Sequence, residues 1–167
     1  MIVLGIDPGA STAMVVRDRN LLLAQQVLDL DLDARLPWSI DTTLLAATGL
    51  IGTHRPDLVA VEGAIAPTAW HNGKIRMIDP APIIGTAHLV GALVGCCAAT
   101  IVPPARHGMK IPAGTPPRAA RAMLESLYPP GLIGPRETTG RSKTPMQHLR
   151  AAWDIADAGR QAARLRP

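Results

Sequence analysis

The sequence predicts an α/β domain of five short strands flanked by helices. Three observations carry that prediction. Three apolar, strand-like runs follow one another before residue 30, and two later runs alternate with helical segments. Two of the five runs, the first and the fourth, end on a lone carboxylate.

The first run, Met1 to Gly9, reads M-I-V-L-G-I-D-P-G. Ile2, Leu4 and Ile6 alternate with Val3, Gly5 and Asp7, so the strand is apolar on both faces until its carboxylate. An ionised Asp beside an apolar strand loses hydration unless a cation or several hydrogen bonds compensate it. Asp7 therefore either caps the Pro8-Gly9 turn, as Asx residues do, or meets a metal ion. Ser11 to Arg17 and Leu21 to Leu28 form two more strands around the turn Asp18-Arg19-Asn20, which makes an antiparallel meander. Asp29, Asp31 and Asp33 lack the Gly and terminal Glu of an EF-hand loop and read as solvated.

Ser39 or Asp41 can cap a helix that runs through Leu44, Leu45 and Leu50 and stops near Gly52. Leu58 to Val61 is a short strand ending in Glu62-Gly63, which repeats the Asp7 arrangement. Ala64 to Pro80 shows no periodicity and reads as a long loop carrying Trp70, His71, Lys74 and Arg76. An aromatic beside cations suits stacking on unpaired bases; folding of Trp70 onto the core is the alternative. Pro82 to Cys97 is an almost uncharged helix in which Gly91 and Gly95 lie one turn apart, fit for close approach inside the protein or at a subunit contact.

Thr100 to Val102 is the fifth strand, followed by Pro103-Pro104 and the basic segment Arg106, His107, Lys110. Thr115-Pro116-Pro117 opens a helix reaching about Tyr128, and Pro129 to Thr144 is a Gly/Pro/Arg loop. The last helix, about Pro145 to Leu165, places Asp154 and Asp157 on one face, where they repel unless solvated or bridged by a cation. Together with Asp7 and Glu62 this pair could hold two divalent ions in the oxygen-rich setting that Mg²⁺ prefers.

A chain of 167 residues, 47% apolar, suits one domain spanning 1–167. Its formal charge is +4 and its sequence pI about 9.7, with Arg and Lys crowded into the last third, which suggests an anionic partner such as nucleic acid. The adjacent Cys96 and Cys97 have neither metal-ligand spacing nor a disulfide framework and read as buried thiols. No leader opens the chain and no run approaches the roughly 20 apolar residues of a membrane span, so a cytoplasmic, soluble protein is expected.

The opening G-I-D-P-G-A-S-T, the V-A-V-E-G strand end, the Gly-rich helix from Gly85, the segment Ala105 to Lys110, and A-A-W-D-I-A-D-A at Ala151 to Ala158 occur in the order seen in RuvC-type Holliday-junction resolvases, which the chain resembles. The resemblance implies a ribonuclease H-like fold: a five-stranded mixed sheet flanked by helices, acting as a homodimer on four-way DNA junctions. It implies that Asp7, Glu62, Asp154 and Asp157 form a tetrad holding two Mg²⁺ (or Mn²⁺) ions, and that Lys110 lies near the scissile phosphate. Arg118 stands where a second family lysine aligns, and Trp70 lies further along than the family's loop aromatic. The implied reaction is in-line hydrolysis by paired nicks leaving 5′-phosphates. Arg136, Arg141 and Lys143 would contact DNA phosphates, which gives affinity without reading sequence, and Lys74, Arg76 and Arg118 complete the expected DNA-binding residues with Trp70.

Other classes remain open. A flap, fork or RNA-processing nuclease can share this fold, because fold does not fix substrate. Asp7-x-Gly9-x-Ser11 also resembles the phosphate-binding turn of sugar-kinase or actin-like ATPases, although the chain is about half the length such a two-lobed enzyme needs. A catalytically dead junction-binding module would not need all four carboxylates.

Overall fold

A computed structural model describes residues 1–30, 36–64, 70–71, 74–75, 81–105, 107–108, 111–112, 114–134 and 145–165. Strands β1 (Ile2–Asp7), β2 (Ser11–Asp18) and β3 (Leu21–Asp29) form the expected antiparallel meander. Helix α1 (Leu36–His54) leads to β4 (Leu58–Glu62), which pairs in parallel with β1. A small hairpin, β5 (Trp70–His71) and β6 (Lys74–Ile75), precedes α2 (Ala81–Cys97) and β7 (Thr100–Val102). Helix α3 (Pro117–Leu127), a 3₁₀ turn (Pro130–Leu132) and α4 (Pro145–Arg164) complete the order.

The main sheet has five strands in the order β3-β2-β1-β4-β7, antiparallel on the meander side and parallel across β1, β4 and β7. Both faces are covered. Alternation sends Leu4, Ile6, Met14, Val16, Val59 and Val61 into a core shared with α1 and α2. On the opposite face Val3 and Ala60 pack on Ile155 and Ala156 of α4, and Ala13 and Val15 pack beneath α3 and α4 with Leu124, Leu149 and Trp153. This two-sided burial explains why the strands read as continuous apolar runs.

Close seating of α4 depends on small residues. A Cβ on Gly5 would collide with the Ala152 carbonyl and come within 2.7 Å of the Ala156 nitrogen, while Gly159 lies over Ala60. The helix backbone therefore rests almost directly on β1 and β4.

Three expectations need correction. Helix α1 begins at Leu36, ahead of both expected caps Ser39 and Asp41, because Pro37 suits a first turn that has no use for its missing N–H. The segment expected as an unbroken loop contains the β5–β6 hairpin, whose register pairs Trp70 with Ile75 and His71 with Lys74. The Asn72-Gly73 dipeptide between those strands is a strong hairpin signal. Cys96 and Cys97 are not buried thiols: Cys96 is exposed and Cys97 partly so, because α2 turns only Gly85, Leu89, Val90 and Leu93 fully inward. Among the described residues no helix is long and apolar enough to cross a membrane.

Candidate active site

One residue past the Ile6–Val61 pair, the parallel neighbours β1 and β4 each present a carboxylate, Asp7 and Glu62. Such strands lie about 4.8 Å apart. Gly5 and Ala60 meet α4, so alternation turns Asp7 and Glu62, two residues further on, to that same side. The turn leaving Asp7 is closed by Thr12, whose Oγ1 accepts from the Gly9 amide at 3.2 Å and donates to the Gly9 carbonyl at 2.8 Å. The Asp7 carboxylate instead reaches across to α4, where its Oδ2 lies 2.9 Å from Nδ1 of His148.

Glu62 is held differently. Its Oε1 accepts the Ala105 amide at 3.1 Å, and His107 Nε2 stands 3.8 Å away. Burial pushes the Glu62 carboxyl above its usual range; the Ala105 N–H opposes this, the Asp7 charge adds to it and His107 opposes it. The His148 imidazole is raised by its hydrogen bond to Asp7, which outweighs the burial that lowers it. His107 Nε2 is buried and has no hydrogen-bond partner among the described residues.

Asp7 and Glu62 supply donor chemistry of the kind a divalent cation takes. The Asp7 charge disfavours that of Glu62, and these two carboxylates at neighbouring strand ends are hard oxygen donors of the kind Mg²⁺ or Mn²⁺ takes, with the His148 imidazole beside Asp7. The side chains stand as two pairs, Asp7 with His148 and Glu62 with His107; among the described residues no three of them are gathered into a single metal-holding group. A cleft of about 250 Å³ lined by Pro8, Glu62, Gly63, Ala64, Pro82, Ile83 and Thr86 opens beside Glu62.

Among the described residues Asp7, Glu62, Asp154 and Asp157 are not gathered into one metal-holding group. Asp154 and Asp157 lie six and nine residues beyond His148 on α4, which at 1.5 Å per residue is about 9 and 13 Å along the helix. Asp154 is buried, and its Oδ2 accepts from the Gly108 amide and from the Tyr128 hydroxyl, each at 2.9 Å. Asp157 receives Arg160 on Oδ1 and Gln161 on Oδ2 at 2.7 Å, with Arg17 at 3.8 Å. Arg17 is itself buried on β2, stacked 3.7 Å from the Trp153 ring centroid and donating to the Trp153 carbonyl at 3.0 Å. Burial lowers its pKa and the Asp157 charge opposes that, so Asp157 serves Arg17 as a counter-ion.

Of the remaining expected site residues, Arg118 is exposed in the first turn of α3, and Trp70 and Lys74 lie on β5 and β6. Lys110, Arg76, Arg136, Arg141 and Lys143 lie outside the described residues. Sequence reasoning missed His148 and gave His107 no role. A signal was present: Ala152, Ala156 and Gly159 form a small-residue stripe on α4, and His148 extends it by one turn toward the strand ends.

No protein-family model matches the chain, and no curated protein matches it in sequence. Its architecture, a five-stranded mixed sheet covered by helices on both faces, is a ribonuclease H-like fold. Within that class it has the fold of RuvC. The T. thermophilus RuvC structure in complex with a Holliday junction substrate is 18% identical, with a TM-score of 0.63 over 99% of this chain and 96% of that chain. A second Thermus thermophilus RuvC structure gives 18% identity, the same coverage and a TM-score of 0.56.

Proposed function

We propose that this chain is a divalent-metal-dependent endonuclease that resolves four-way DNA junctions by paired cleavage leaving 5′-phosphates. The observation that carries the reading is the pair of carboxylates at the C-terminal ends of the parallel strands β1 and β4, with His148 of α4 2.9 Å from Asp7. Ligand sites of open α/β sheets lie at such strand ends. The solved RuvC structure with the same fold holds a Holliday junction substrate.

Asp7, Glu62 and His148 would hold the metal, with His107 beside Glu62. A bound divalent ion supplies a water of lowered pKa and charge stabilisation at the phosphate. The chain's own residues set up the rest. The Ala105 amide fixes the Glu62 carboxylate, and Thr12 fixes the turn that delivers Asp7. We assign Lys110 the role of placing positive charge where the attacked phosphate becomes more negative. Arg118, Arg136, Arg141 and Lys143 would grip phosphates, and Trp70 with Lys74 and Arg76 would stack on and hold opened strands.

Two symmetric nicks need two sites, and the outward face of α2 suits a homodimer contact. It exposes Ile84, His88, Gly91 and Gly95, and a Cβ on either glycine would meet nothing within 4 Å.

The test is incubation with labelled four-way junction, fork, flap, duplex and RNA hairpin, each with and without Mg²⁺ or Mn²⁺. Paired, metal-dependent nicks confined to the junction are expected. Preference for flap or fork would make the chain a broader branched-DNA nuclease, and cleavage of RNA alone an RNA-processing one. Absence of cleavage on every substrate with either metal would reject the nuclease reading.

A further inference from the structure

We propose that Asp154 is a positioning residue and not a metal ligand: it anchors the His107–Gly108 turn to α4 and so holds His107 beside Glu62. The proposal rests on the reading of Asp7 and Glu62 as the metal-dependent centre.

The segment from Ala105 to Gly108 is tied at both ends. At one end the Ala105 amide donates to Glu62 at 3.1 Å; at the other the Gly108 amide donates to Asp154 at 2.9 Å. His107 lies between them, its Nε2 3.8 Å from Glu62. The turn is pressed onto the helix backbone, because a Cβ at Gly108 would lie 2.7 Å from the Gln147 carbonyl and 2.9 Å from the Ala151 nitrogen. Gly108 also has a φ of 69°, which glycine adopts without strain.

Asp154 is built to hold this turn. The same Oδ2 that takes the Gly108 amide also takes the Tyr128 hydroxyl at 2.9 Å, and all three groups are buried. The buried Arg150, whose guanidinium carbon is 5.7 Å from the Tyr128 ring centroid, donates to the Leu132 carbonyl at 3.1 Å and backs the tyrosine. Helix α4 thus serves both strand-end carboxylates, touching Asp7 through His148 and Glu62 through Asp154, Gly108 and His107. A single helix shift would disturb both.

The test compares Asp154→Asn, Asp154→Ala and Tyr128→Phe with wild type and with Asp7→Asn. Asparagine keeps an oxygen able to accept both hydrogen bonds, alanine removes it, and phenylalanine removes one donor without changing shape. Three quantities are read on the full chain: hydrogen exchange of the Gly108 amide by NMR, Mn²⁺ affinity by electron paramagnetic resonance, and junction kcat and KM. In Asp154→Ala, loss of a buried hydrogen bond should speed Gly108 exchange and lower kcat by about tenfold each, with KM and Mn²⁺ affinity unchanged. Tyr128→Phe should move both in the same direction by a smaller factor, which covers the case of an Asp154→Ala chain that does not fold. Asp154→Asn should restore wild-type behaviour, whereas Asp7→Asn should lose Mn²⁺.

Loss of Mn²⁺ affinity in Asp154→Asn comparable to Asp7→Asn would make Asp154 a ligand and overturn the proposal. So would unchanged Gly108 exchange in Asp154→Ala, or faster exchange with unchanged kcat. A wild type that neither binds Mn²⁺ nor cleaves overturns the nuclease reading; accelerated Gly108 exchange in Asp154→Ala would then leave the anchor standing, and unchanged exchange would overturn it as well.

Discussion

Asp7 and His148 stand 141 positions apart in the chain and meet at 2.9 Å, Oδ2 to Nδ1. The contact joins the end of the first strand to the first turn of the last helix, so the candidate centre forms only when the whole fold is closed. It also places an imidazole, not a further carboxylate, against Asp7.

The contact makes stability pH-dependent. The hydrogen bond to Asp7 raises the His148 pKa in the folded protein. A raised histidine contributes stability that is fully present below its ordinary value of about 6.5 and is lost as pH climbs through the folded value. In metal-free protein, thermal unfolding from pH 5 to 9 should therefore show a larger loss for wild type than for His148→Ala. Because coordination needs a neutral imidazole, stabilisation by Mn²⁺ should grow over the same range. Parallel pH curves for the two proteins would remove the ion pair from the account.

Asp157→Ala should damage the fold and spare the chemistry. Removing the carboxylate takes from the buried Arg17 its ion-pair partner, although the Asp154 charge stays, as do the arginine's bonds to the Trp153 and Arg19 carbonyls. A loss of about 1–3 kcal/mol by denaturant titration is expected, with cleavage per folded molecule unchanged. Loss of cleavage at full stability would restore Asp157 to the centre.

Gly5→Ala should be among the most damaging single changes. The added methyl would collide with the Ala152 carbonyl and lie 2.8 Å from the Ala156 Cβ, forcing α4 off the sheet. A cost of about 3 kcal/mol is expected, at the upper end of overpacking. The same displacement would draw His148 away from Asp7, so activity should fall even in the fraction that folds. Wild-type stability and activity would show that α4 is not seated through this contact.

The strands and the uncharged second helix were legible because alternation and continuous apolar runs follow from burial on two faces. The carboxylates at Asp7 and Glu62 stood out for the same reason, as charges ending apolar strands. For Asp154 and Asp157, a three-residue spacing says that two side chains share a helix face, but not what that face packs against. Their partners Gly108, Tyr128 and Arg17 come from remote segments, and a buried arginine on β2 gave no local sign that it would need a counter-ion. His148 was readable only by phasing α4 from its small residues, which requires knowing that the helix rests on Gly5.

Junction binding should weaken steeply with salt if Arg118 and the basic loop residues neutralise phosphates. A plot of log affinity against log salt should fall with a slope of about −0.9 for each phosphate contacted. Replacing Arg118 by alanine should flatten it by about one such contact. A slope near zero would argue against a basic DNA-binding surface.

The most direct measurement is cleavage of an end-labelled four-way junction by wild type and Asp7→Asn, with and without Mg²⁺ or Mn²⁺, alongside junction binding. Wild type with metal should give symmetric nicks, and Asp7→Asn should bind equally well and cut nothing. Cleavage by Asp7→Asn at the wild-type rate, or none by wild type with either metal, would contradict the centre described at the ends of β1 and β4.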